Sequence, residues 1–187
     1  MSTLLRDDDL LDDSLRRRFF AGQDVETMLA SAEKNADLWA AVSRRAVVPQ
    51  QFVDRVNALG GQWHLLVLSA DWCGDAVNTV PVIARLAMNS SNMDLRILER
   101  DANLDLMDAH LTGTSRSIPA VIALDENYME RGWWGPRPAA LQRWAMGEGQ
   151  GLDKTERYKH IRTWYARDHA LTTLEEVVAM LEHSAGR

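Results

Sequence analysis

The chain has 187 residues, 46% hydrophobic and 26% charged, with a formal net charge of −6 and a pI near 5.3. That is globular composition, and its acidity argues against nucleic acid as a partner, because the basic runs are short: Arg16-Arg17-Arg18 and Arg44-Arg45. One cysteine excludes an internal disulfide and a multi-cysteine zinc site.

The opening MSTLLRDDDLLDD is acidic and lacks the basic and apolar regions of a secretory leader. No apolar run is long enough to span a membrane. The expectation is therefore a cytoplasmic chain with no membrane partner.

Residues 1–61 read as a helical N-terminal extension. Val25, Met28 and Leu29, then Leu38, Trp39 and Val42, recur at helical spacing. Pro49 can open a further helix with Phe52, Val53 and Val56 on one side, ended by Gly60-Gly61.

Residues 62–147 follow a different pattern. WHLLVLSA (63–70) is a continuous apolar run, which suits a strand buried on both faces. Residues 74–88 are helical, and MDLRILER (93–100) alternates like a strand. Asp101 can cap a short helix through Leu106 and Met107. IPAVIALD (118–125) is a second apolar strand, Asp125-Glu126-Asn127 a hairpin turn, and Tyr128–Trp133 the returning strand. Trp133 and Trp134 should face opposite sides of the strand end. Pro138 to Met146 is helical.

GEGQG (147–151) reads as a flexible joint. Residues 148–187 form a helical C-terminal extension, with helices at 153–168 and 172–183. Trp144, Tyr158, Trp164 and Tyr165 should fasten it to the rest, and all three segments are expected to pack as one domain.

The chemistry concentrates in SADWCGDAVNTVP (69–81). Cys73 follows a buried strand and opens a helix, where unpaired amides and the helix dipole favour a thiolate, the nucleophilic form of cysteine. Asp75 is expected to satisfy first-turn amides, yet its charge would raise the thiol pKa. Asp71 reads as a solvated loop carboxylate. Arg116 and Ser117 precede Pro119 and can reach the sulfur or an anionic thiol. Ser117-Ile118-Pro119, at a loop-to-strand junction, makes Pro119 a candidate for a cis peptide. The five histidines show no metal spacing, so no metal site is assigned.

A strand, then WCGD, a proline eight residues after the cysteine, an Ile-Pro 46 residues after it and a following hairpin together resemble the thioredoxin-like fold over roughly residues 60–147. WGPRP (134–138) with WCGD looks like a bacterial subgroup of that family. The resemblance implies an α/β fold: a four-stranded mixed sheet with helical N- and C-terminal additions. It also implies Cys73 as nucleophile, Trp72 as its flanking aromatic, Gly74 and Asp75 as site-shaping neighbours, Pro119 as the cis-proline, and Ile118 as the residue whose backbone meets a substrate.

Two departures bear on activity. Ala76 stands where the resolving cysteine would be, and Val67 where such proteins often keep a buried aspartate. A dithiol cycle cannot run within one chain. What the resemblance then implies is a single-thiol thiol–disulfide oxidoreductase in cell redox homeostasis. Its partner would be a disulfide-containing or thiolated protein or small molecule. It would use no cofactor beyond an external low-molecular-weight thiol.

The alternative is a redox-inactive binding module on the same fold, docking an extended peptide beside Ile118-Pro119. A third idea is an iron–sulfur cluster bridged between two chains, as in monothiol glutaredoxins, although CGDA is not their motif.

Overall fold

In the computed structural model, which describes residues 7–186 and side chains from Ser14 onward, the run WHLLVLS forms strand β1 (Trp63–Ser69), buried at all seven positions. Its apolarity on both faces makes it a central strand. β2 (Met93–Glu99) pairs with it in parallel, and β3 (Ala120–Leu124) pairs antiparallel on its other side. β4 (Glu130–Trp134) pairs antiparallel with β3, giving the order β2-β1-β3-β4. Beyond β2, Gln23 exchanges backbone hydrogen bonds with Ile97 at 2.8 and 3.0 Å, which covers part of the exposed edge.

Before the sheet come α1 (Asp7–Ala21), α2 (Val25–Ser31), α3 (Ala36–Arg45) and α4 (Gln50–Asn57). Residues 1–6 of the expected helical segment lie outside the described residues. Asp24 caps α2 by accepting from the Thr27 amide at 2.7 Å, and Pro49 precedes α4. After β1 runs α5 (Gly74–Asn89), whose helix continues through Pro81 even though that residue has no N–H to donate. Then come α6 (Leu104–Asp108), α7 (Ala139–Met146), α8 (Lys154–Asp168) and α9 (Leu171–Ser184). Among the described residues no helix is long and apolar enough to cross a membrane.

One apolar cluster joins Trp39, Val56, Leu66, Ile83, Ile122 and Leu181, so helices from both ends of the chain pack on the sheet. A second, small cluster of Leu141, Ile161 and Tyr165, flanked by Trp144 and Trp164, holds α8 to α7. Trp134 enters the main core while half-buried Trp133 lies edge-on to His110.

Three local expectations need correction. Glu99, not Asp101, caps the turn after β2: its carboxylate accepts from the Asp101 and Ala102 amides, and α6 starts only at Leu104. Aspartate is the usual capping residue, but Glu99 stands at the end of β2 where the turn begins. GEGQG is not a loose joint but a 3-10 turn over Glu148–Gly151. A Cβ on its buried Gly149 would come within 3.0 Å of the Trp144 ring. Tyr158 does not fasten the C-terminal helices; it is 45% exposed, while Trp144 stacks on His160 at 3.7 Å.

Candidate functional site around Cys73

Cys73 is the N-cap of α5, with extended backbone at φ −83° and ψ 114°. Its Sγ accepts from the Ala76 amide at 3.5 Å, where a serine or aspartate oxygen would ordinarily cap. The thiol in turn donates to the Ile118 carbonyl at 3.2 Å, across 45 residues of chain. That carbonyl belongs to the turn before β3, where the Ile118–Pro119 bond is cis. A second cis bond, Gly135–Pro136, follows β4. Gly135 lies directly on the first turn: a Cβ there would sit 2.1 Å from the Pro119 carbonyl oxygen.

The loop that presents Cys73 is fastened from behind. Asp71 Oδ2 accepts from the Glu33 and Lys34 amides at 3.0 and 2.8 Å, and its own carbonyl accepts from Trp39 Nε1 at 2.9 Å. Asp71 is therefore not a solvated loop carboxylate but the anchor between this loop and the α2–α3 connection.

Asp75 also differs from expectation. Its carboxylate satisfies no helix amide. Arg137 donates to Oδ2 through Nε at 3.1 Å and Nη2 at 2.5 Å, and the Tyr165 hydroxyl donates to Oδ1 at 2.9 Å. The sulfur does the capping instead. Neither Arg137 nor Tyr165 was readable as a site residue. These partners of Asp75 stand 62 and 90 residues away, beyond the reach of any local pattern.

Burial is the largest influence on the thiol and pushes it up to about 11; the charge of Asp75 adds to this. The Ala76 amide and Arg137 oppose it and lose. The helix-start amide outweighs Asp75, but burial of a residue only 7% exposed outweighs both. The resting group is the thiol.

The sulfur faces a groove of about 690 Å³. One wall is Trp72, 41% exposed, with the Arg100 guanidinium 4.8 Å above its ring, together with Ser117 and Ile118. The other is the face of α8 bearing Tyr158 and Ile161. Gly74 contributes open space. Arg116 lines the groove, but its guanidinium bonds Asp108 at 2.6 and 2.7 Å rather than the sulfur. Val67 is fully buried in β1 beside Ile97 and Val121. Among the described residues no three His, Cys, Asp or Glu side chains are grouped to hold a metal.

A mixed four-stranded sheet of this order, a cysteine opening the helix after its central strand, and a proline turn against the sulfur define a thioredoxin-like α/β protein. The family model described as thioredoxin matches residues 22–166, and the chain belongs to that family. No curated protein sequence matches it. The crystal structure of a Pseudomonas aeruginosa protein of unknown function, PA1234, superposes with a TM-score of 0.71 at 19% identity, covering 90% of this chain and 96% of that one. An HIV epitope-scaffold protein superposes with a TM-score of 0.70 at 19% identity, covering 90% and 97%. At that identity the likeness is one of fold.

Proposed function

We propose that this thioredoxin-family protein works through one thiol. Deprotonated Cys73 attacks a disulfide of a protein or small molecule, forming a mixed disulfide and expelling the partner's other sulfur as thiolate. With Ala76 in place of a second cysteine, an external thiol then attacks the mixed disulfide, takes the bound sulfur and returns Cys73. A reducing cytoplasm supplies such a thiol. The observation that carries this reading is the position of Sγ, at a helix start in an open groove, 3.2 Å from the Ile118 carbonyl. In this reading the helices on either side of residues 62–147 fold with them as one unit, because both contribute to one core.

A redox-inactive binding module is the second reading, favoured by a thiol held up near 11. The test is incubation of the folded protein with oxidised glutathione, read by intact mass. The expected result is one glutathionyl adduct, formed faster as pH rises, removed by dithiothreitol and absent from Cys73→Ser. An adduct that forms only on unfolded protein would replace this reading with the second.

A further inference from the structure

The groove beside Cys73 carries a charge opposite to that of the chain. The protein has 27 acidic and 21 Lys or Arg side chains, yet the groove is lined by Arg100, Arg116, Arg137, Lys154, Arg157 and Arg162 and by one carboxylate, Asp75. That carboxylate is already bonded to Arg137 and Tyr165. Arg100 and Arg116 have their own partners in Asp101 and Asp108. Lys154 lies 5.9 Å from the Tyr158 ring centroid. Among the described residues Arg157 and Arg162 meet no carboxylate at ion-pair distance.

The three α8 cations lie along the wall rather than converging on one point. Residues 154 to 162 span about 12 Å of helix axis at the usual rise. That length matches about four residues of extended peptide. Tyr158 and Ile161 lie between them on the same face and offer apolar contact. Guanidinium groups take carboxylates in paired hydrogen bonds, and a cleft of one sign concentrates ligands of the other.

We propose that this groove recognises an acidic peptide segment, its carboxylates on Lys154, Arg157 and Arg162 and its chain lying along α8 beside Cys73. The proposal rests on the reading of this groove as the place where a partner docks, and it names the chemistry of that partner.

The test uses the Cys73→Ser full chain, so no covalent step contributes. Binding of three fluorescent eight-residue peptides is followed by anisotropy: one rich in Glu and Asp, its Gln and Asn counterpart, and a Lys-rich one. The acidic peptide is expected to bind at least tenfold more tightly than the neutral one, to weaken with salt, and to lose its advantage in Arg157→Gln/Arg162→Gln, whose folding is checked by its melting curve. Equal binding of acidic and neutral peptides overturns the proposal. So does displacement by tripolyphosphate or a single-stranded oligonucleotide at lower concentration than by unlabelled acidic peptide. A charge preference without any glutathionyl adduct on the parent sinks the redox reading and leaves this one standing; an adduct without charge preference does the reverse.

Discussion

The Tyr165 hydroxyl donates to Asp75 Oδ1 at 2.9 Å and so ties the end of α8 to the first turn of α5. The phenol is buried, and burial together with the Asp75 charge raises its pKa, so it stays a donor throughout the neutral range. Tyr165→Phe keeps the ring in the small cluster with Leu141 and Ile161 but removes a donor from a carboxylate only 12% exposed. We expect a loss of about 2 kcal/mol in denaturant unfolding. Amide exchange over residues 154–168 should accelerate, and an unchanged exchange pattern would show that α8 is held by other contacts.

Asp75→Asn tests the electrostatics of the thiol. The Asp75 charge helps raise Cys73, so removing it should move the alkylation profile from a midpoint of about 11 toward neutral pH. Arg137, 19% exposed, is left without its carboxylate, and the variant should lose about 3 kcal/mol of stability. For the parent, a thiol near 11 has a thiolate fraction at pH 7 of only about one in ten thousand, so labelling should be about 100-fold slower than for a free cysteine near 9.0. The same shift makes folding favour the protonated thiol. Stability from this group is present below pH 9.0 and is lost as pH rises toward 11, a decline that Cys73→Ala should lack.

What could be read from the sequence was local. The apolar run of β1, the helix after Pro49 and the place of Cys73 at a helix start follow from periodicity and capping within a few residues. What could not be read was long-range. Asp71 on the Glu33 and Lys34 amides, Arg137 on Asp75, and the Gly135 turn against Pro119 join segments whose proximity only the sheet order creates. The sulfur's burial has the same origin. A helix-start cysteine predicts a lowered pKa until the Ile118 turn closes over it.

Two buried histidines should titrate with opposite signs. His110 Nδ1 donates to the Leu106 carbonyl at 2.8 Å, and its Nε2 bonds the Glu130 carboxylate at 2.9 Å. Burial opposes its charge, but the Glu130 hydrogen bond, the Leu106 carbonyl and the Glu130 charge outweigh that and raise its pKa. Its contribution is full below 6.5 and is lost as pH rises through the higher folded value. The stability gap between the parent and His110→Gln should therefore shrink from pH 6 to pH 8. His64 stacks on Tyr128 at 4.3 Å, and burial lowers its pKa despite Asp94 nearby. Folding disfavours its protonation, so His64→Phe should gain on the parent as pH falls below 6.5. Urea unfolding at a series of pH values reads both, and parallel curves would contradict the assignment.

Arg55 clamps α9 onto α4. Its Nε and Nη2 donate to the two oxygens of Glu182, each at 2.8 Å, and Nη1 donates to Glu175 at 2.8 Å. Lysine carries the charge but not the planar fork. With the arginine 30% exposed, Arg55→Lys should cost about 1 kcal/mol, and the melting temperature should fall by about 3 °C.

Glycine matters at one side of the site and not at the other. At Gly135, φ is +145°, and a Cβ would meet the Pro119 oxygen at 2.1 Å and Ala120 Cα at 3.3 Å, all backbone that cannot swing aside. Gly135→Ala must push the Pro119 turn away, and with it the Ile118 carbonyl that receives the Cys73 thiol. We expect a loss above about 3 kcal/mol and faster labelling of Cys73 in whatever remains folded, since the sulfur loses both cover and hydrogen bond. Gly74 is the control, because nothing lies within 4 Å of a Cβ placed there. Gly74→Ala should stay within about 0.5 kcal/mol of the parent and label at the same rate. If Gly74→Ala were instead the damaging change, the thiol would be governed by the WCGD turn itself rather than by the two proline turns packed behind it.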